Sequence, residues 1–203
     1  MQEHWEKIYK SRPPEKVSWY RPHLETSLAL IEFATGGERS ASIIDVGGGT
    51  STLVDDLIGA GYSDVTVLDI SRAAVEMTKA RLTRARSVRT MVGDVTKPIF
   101  VDGCYDVWHD RAVFHFLTSP ADRKAYVGNV ARAVRPGGHI ILSTFGPEGP
   151  TRCSGLEVVR YSAEEVHAEF GARFQLIQSS MEVHETPFGT TQQFVYCLCS
   201  LNR

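Results

Sequence analysis

One stretch constrains the fold more than its length would suggest: Ser42-Ile43-Ile44-Asp45-Val46-Gly47-Gly48-Gly49-Thr50-Ser51. A β-branched apolar run closes on an acid, three glycines follow, and a helical apolar pattern begins at once. Strand, glycine turn and helix in that order open a βαβ unit. Such a unit commits the chain to a parallel sheet with helices on its faces. In an α/β protein this turn is also where the backbone passes beneath a nucleotide-like ligand.

The alternation continues downstream. The strand Ser42–Val46 leads to a helix from about Ser51, with Leu53, Val54, Leu57 and Ile58 on one face, ending near Gly59-Ala60-Gly61. A second strand, Val65–Asp69, precedes Ser71, the N-cap of a helix through Leu82. Val88–Val92 and Tyr105–His109 read as strands three and four. Ser119-Pro120 starts a helix to Val134, and Arg135-Pro136-Gly137-Gly138 turns into strand five, His139–Thr144. After a Gly/Pro-rich loop, Ser162 and Glu165 form a capping box for a short helix ending at Gly171. The β-rich runs Arg173–Val183 and Thr190–Ser200 make a hairpin. Upstream, Trp5, Ile8 and Tyr9 sit at helical spacing, Pro13-Pro14 breaks that helix, and a second helix spans about His23 to Ala34, with Leu24, Leu28, Leu30 and Ile31 inward. The whole is an α/β, doubly wound, mostly parallel sheet with an antiparallel C-terminal hairpin. Ligands of such sheets bind beyond the carboxyl ends of the strands.

Composition narrows the function classes. Over 203 residues, 42% are hydrophobic and 23% charged, ordinary for a globular chain with one sizeable core. The net charge of −2 has no basic patch, which argues against nucleic acid and membrane surfaces as partners. No apolar run reaches membrane-spanning length, and Met1-Gln2-Glu3-His4-Trp5-Glu6 is unlike a signal peptide, so the cytoplasm is the expected compartment. Cys104, Cys153, Cys197 and Cys199 lack disulfide-scaffold or metal-finger spacing, and no metal site is expected. The last two share a strand face.

The glycine turn does not fit a dinucleotide. Thr52 stands where GxGxxG needs its third glycine, and Asp45 would repel a pyrophosphate but suits a ligand with a cationic end. Five motifs together resemble those of the class I S-adenosylmethionine-dependent methyltransferases: Asp45-Val46-Gly47-Gly48-Gly49-Thr50-Ser51, Val67-Leu68-Asp69-Ile70-Ser71, Gly93-Asp94-Val95, Tyr105-Asp106-Val107-Trp108-His109-Asp110, and Arg135-Pro136-Gly137-Gly138. Ser51 departs from the glycine many members carry.

The resemblance implies a seven-stranded Rossmann-like fold in one domain, 1–203. That domain divides into an N-terminal helical lid (1–40), a cofactor-binding core (41–145), and a substrate loop, short helix and hairpin (146–203). It implies S-adenosylmethionine as cofactor. Asp45 would lie near the methionine ammonium and Gly47, Gly49 and Thr50 would form the turn beneath it. Asp69 would bind the ribose hydroxyls, and Ile70, Asp94 and Val95 the adenine. Trp19 and Tyr20 would cover the cofactor, while Trp5 and Tyr9 would pack the lid helix rather than touch ligand. His109 and Asp110, after strand four, are the catalytic candidates, as a base and a substrate-orienting acid. His115 and Phe116 read as core or wall, and Arg152, Cys153, Arg160 and Tyr161 as a substrate wall. The expected acceptor is a small molecule. The alternatives are a seven-strand protein-lysine methyltransferase and, behind it, a non-catalytic cofactor-binding protein.

Overall fold

The computed structural model describes residues 1–82 and 88–202. Seven strands form one sheet in the order β3-β2-β1-β4-β5-β9-β8. The strands are β1 (Ser42–Val46), β2 (Asp64–Asp69), β3 (Val88–Val92), β4 (Tyr105–Arg111), β5 (Val134–Phe145), β8 (Phe174–Glu185) and β9 (Thr191–Leu201). The first five run parallel, and β9 pairs antiparallel with both β5 and β8. The chain order reverses between β1 and β4, so the switch-point crevice opens above those two strands. A separate two-stranded ribbon, β6 (Arg152–Cys153) with β7 (Leu156–Glu157), lies inside the Gly/Pro-rich loop, where the sequence predicts no strand.

The expected strands and helices all have counterparts among the described residues, with ends shifted by a few positions. The exception is the stretch 83–87, between the second core helix and β3, which lies outside them. α1 (Gln2–Ser11) and α2 (Glu25–Thr35) make up the N-terminal segment, and α3 (Leu53–Gly59) and α4 (Arg72–Arg81) follow the first two strands. α5 (Pro120–Ala133) precedes β5, and α6 (Ala163–Phe170) precedes β8. Ser71 caps α4 by accepting from the Ala74 N–H, and Ser162 and Glu165 close a reciprocal capping box on α6. Among the described residues no helix is long and apolar enough to cross a membrane.

Side-chain alternation divides the core into two layers. Ile44, Trp108, Ile140, Cys197 and Cys199 face α5 and α6. Ile43, Val107, Ile141, Phe194 and Leu198 face α2 and α3. That parity decides where each residue at the end of β4 points.

Candidate active site

The main cavity lies over the carboxyl ends of β1, β2 and β4, under the N-terminal segment. Its lining includes Gly47, Asp69, Ile70, Asp94 and Val95 on one side. On the other are Trp5, Trp19, Arg111, Phe116, Cys153 and Phe194. Tyr9 also reaches it, and a smaller recess beside it contains Asp45, Thr50, Tyr20 and His109. The predicted cofactor residues are thus gathered in one region.

The glycine turn is held from below. Gly47 and Gly49 have φ of +66° and +48°, where a Cβ is strained, and a Cβ on Gly47 would run into the Val113 side chain. Thr78 Oγ1 donates to the Gly49 carbonyl at 2.5 Å, and Arg81 Nη2 donates to the Ser51 carbonyl at 2.7 Å. Both anchors come from α4, which nothing in the sequence marks as a support for the turn.

Asp45 is buried. Its Oδ1 accepts from His109 Nδ1 at 2.8 Å, while Oδ2 has no partner among the described residues and lies under Gly48. A buried, half-satisfied carboxylate next to a glycine cradle calls for a cationic donor. Asp69 accepts from the Ser71 N–H at 2.7 Å. Burial, reinforced by the neighbouring Asp45 charge, pushes the Asp69 carboxyl up to about 7. Asp94 turns one oxygen back onto Thr96, accepting from its N–H at 2.9 Å and its hydroxyl at 2.7 Å.

The catalytic expectation needs correction. His109 is 1% exposed, and its Nε2 meets Ser27 Oγ of α2 at 2.9 Å, so both ring nitrogens are occupied. Asp110, one residue on, points to the opposite face of the sheet. There it accepts from the Val113 and Phe114 N–H groups at 2.9 and 3.2 Å and from Tyr126 Oη at 2.6 Å. Trp108 Nε1 donates to the same Tyr126 oxygen at 2.9 Å. Asp110 therefore caps the single turn Phe114–Phe116 and does not reach the cavity; burial pushes its carboxyl up to about 6. The expected strand ended at His109, but β4 runs to Arg111. Arg111 shares the parity of His109 and is the β4 side chain at the cavity. Beyond it Ala112 has φ +71°, a left-handed residue that swings Val113 over Gly47.

The N-terminal segment contributes more than packing. Trp5 and Tyr9, expected to pack, line the cavity, and Trp5 meets Trp19 and Phe116 edge-on at 5.7 and 5.0 Å. Glu6 ties α1 to the start of α4, accepting from Ser71 Oγ at 2.8 Å and the Ala73 N–H at 3.1 Å. Those bonds, led by Ala73, hold its carboxyl down at about 2. The following loop is fixed to β8: His184 Nε2 donates to the Ser18 carbonyl at 2.8 Å, and Glu182 pairs with Arg21 at 2.7 Å. Of the expected substrate wall only Cys153 reaches the cavity. Arg152 and Arg160 donate to loop carbonyls, and Tyr161 packs against Phe114 in the α5–α6 layer. Phe116 lines the cavity, whereas His115 is buried behind it, held neutral by burial and the Arg111 charge at about 3.

A Rossmann-like sheet with a reversed edge hairpin, and an acid-led glycine turn at its switch point, defines the methyltransferase fold class. The family described as methyltransferase domain matches residues 43–138. The human eEF1A lysine and N-terminal methyltransferase is 24% identical over 68% of this chain and 20% of its own length. The zebrafish (Danio rerio) EEF1A lysine methyltransferase 2 is 30% identical over 52% of this chain and 48% of its own. The chain thus spans about a fifth of the first curated relatives and about half of the second kind.

Among solved structures, one concerned with conversion of a disulfide bond into a thioacetal group during echinomycin biosynthesis has a TM-score of 0.78. It is 18% identical and covers 100% of this chain and 93% of that one. Burkholderia thailandensis 1,6-didemethyltoxoflavin-N1-methyltransferase, with bound S-adenosylhomocysteine, has a TM-score of 0.70. It is 16% identical over 100% of this chain and 84% of that one. Residues 43–138 thus match the methyltransferase domain family, and the fold is that of the S-adenosylmethionine-dependent methyltransferases.

Proposed function

We propose that the protein transfers the methyl group of S-adenosylmethionine to a small molecule held at the aromatic end of the cavity. The observation that carries the cofactor reading is Asp45 Oδ2, buried beside the glycine turn and unpartnered among the described residues. A methionine ammonium supplies the missing donor. Gly47, Gly49 and Thr50 cradle the same end of the cofactor, and Asp69 accepts from the ribose hydroxyls. Asp94, Ile70 and Val95 hold the adenine, and Trp19 and Tyr20 cover the cofactor from the N-terminal segment. His109 is a positioning residue: it orients Asp45 and anchors it to Ser27 of α2. Asp110 fixes the turn that carries Phe116.

When bound, the cofactor supplies an electrophilic sulfonium methyl. The chain's own contribution is to align a nucleophile and exclude water, because no histidine lines the main cavity among the described residues. Cys153 stays a thiol there, its pKa pushed up to about 11 by burial.

Similarity to the eEF1A lysine methyltransferases favours a second reading, a protein lysine acceptor. Against it, the aromatic end carries a guanidinium and, among the described residues, offers no counter-ion for a lysine ammonium. Incubation with methyl-labelled cofactor and a cell lysate, and separately with purified eEF1A, tests both readings. Label in the small-molecule fraction is expected. Label in protein alone overturns the small-molecule acceptor, and binding without label in any fraction overturns catalysis.

A further inference from the structure

The cavity is electrically divided. Asp69 and Asp94 line the β1–β3 side, with Asp45 in the adjoining recess. Among the described residues the one cationic side chain on the β4–β9 side is Arg111, and no carboxylate among them lies within ion-pair distance of it. Its guanidinium lies 4.5 Å from the centre of the Phe194 ring, with Nε donating to Tyr196 Oη at 3.1 Å and Nη1 to the Trp19 carbonyl at 3.1 Å. Nη2 is buried with no hydrogen-bond partner among the described residues. A guanidinium held flat by neutral contacts, with one edge unmet, is set for a planar anion.

The direction in which Arg111 leans separates this anion from the cofactor's own carboxylate. The side chain borders the recess of Asp45 and the glycine turn, but it leaves β4 across β5 to reach Phe194 and Tyr196 of β9, on the far side of β4 from the strands that carry the acids. The surrounding wall is aromatic: Trp5, Trp19, Phe116, Phe145 and Phe194. Resting on the methyltransferase reading above, we infer that Arg111 is the specificity-determining residue for the acceptor. It pairs with a carboxylate carried on a flat, aromatic acceptor.

Two pairs of probes test this: 4-hydroxybenzoate against 4-hydroxybenzamide, and indole-3-acetate against indole-3-acetamide. Each is titrated into the full chain saturated with S-adenosylhomocysteine. At least one acid is expected to bind about tenfold or more tightly than its amide, the scale of one charge-assisted hydrogen bond. Arg111→Met is expected to abolish that preference while changing S-adenosylhomocysteine affinity less than about threefold. Three results overturn the inference. They are equal binding of every acid and its amide to the unaltered protein, a preference that survives in Arg111→Met, and a tenfold loss of S-adenosylhomocysteine affinity in that variant, which would assign Arg111 to the cofactor. The comparison in the unaltered protein decides the matter even if the variant does not fold. Failure of S-adenosylhomocysteine to bind at all would sink the methyltransferase reading itself, an outcome distinct from these.

Discussion

The two sides of the cavity are assembled in different ways. On the β1–β3 side, the lining residues follow a strand end directly: Gly47 after β1, Asp69 and Ile70 at β2, Asp94 and Val95 after β3. On the β4–β9 side they come from α1, the Trp19 loop, the end of β4, β6 and β9, separated by long stretches of chain. A strand-end residue is placed by its own strand, so its position follows from local sequence. A residue brought in from a distant segment is placed by tertiary contacts, such as His184 to Ser18 and Glu182 to Arg21. The first side should therefore respond to backbone and charge changes at single positions. The second should respond to changes in packing and in the one cation.

The largest expected effect breaks the first side. In Gly47→Val the left-handed φ of +66° costs about 1–2 kcal/mol for any residue with a Cβ, and the new side chain meets Val113. S-adenosylhomocysteine affinity measured by calorimetry should fall about a hundredfold or more. Binding within threefold of the parent would mean that the turn does not cradle the cofactor.

Next comes Tyr126→Phe, which removes the donor to Asp110 and the acceptor for Trp108. Denaturant unfolding should show a loss of about 1–3 kcal/mol, with cofactor affinity within about twofold. A large loss of affinity at unchanged stability would return Asp110 to the ligand site.

The pH dependence is smaller. Asp69 titrates near 7 in the folded, ligand-free protein, against an ordinary value of 3.8, with Asp45 and Tyr9 as its titratable neighbours. In the proposed site the ribose hydroxyls donate to the carboxylate form, so affinity should hold above pH 7 and fall by up to about tenfold per pH unit below it. The raised value has the opposite effect on folding. The ligand-free fold binds more protons than the unfolded chain between 3.8 and about 7. The cost of the buried Asp69 charge therefore grows as pH rises through that window. Asp69→Asn should flatten both profiles, and a profile that keeps its shape in that variant assigns the titration elsewhere.

The smallest effect is expected of Arg152→Ala. Among the described residues that side chain donates only to the Gly155 carbonyl, on an exposed loop. Its removal should change stability by less than about 0.5 kcal/mol, and methyl transfer should stay at the parent rate. A marked loss of turnover would widen the acceptor side to the loop tip.

The contrast between the sides also sets what could be read from residues alone. The sheet, the hairpin and the α6 capping box were legible because periodicity and capping are local signals. So was the grouping of Asp45, Asp69 and Asp94 at adjacent strand ends. The end of β4 was not, because two further residues extended the strand to Arg111, and alternation then sent His109 and Asp110 to opposite faces. Parity did mark Arg111 as a partner of His109, but only a known strand end makes that signal usable. The supports Thr78 and Arg81, the Ser27 contact to His109 and the place of Trp5 and Tyr9 depend on packing between distant segments. No spacing rule encodes them.

The most direct test is calorimetric titration of S-adenosylmethionine into the unaltered chain and into Asp69→Ala. Saturable binding is expected in the first. In the second it should weaken by about 1.5–3 kcal/mol, or roughly ten- to 150-fold, the loss of charge-assisted hydrogen bonds to the ribose. No binding by the unaltered chain, or equal affinity in both, would contradict the acid-lined cofactor site.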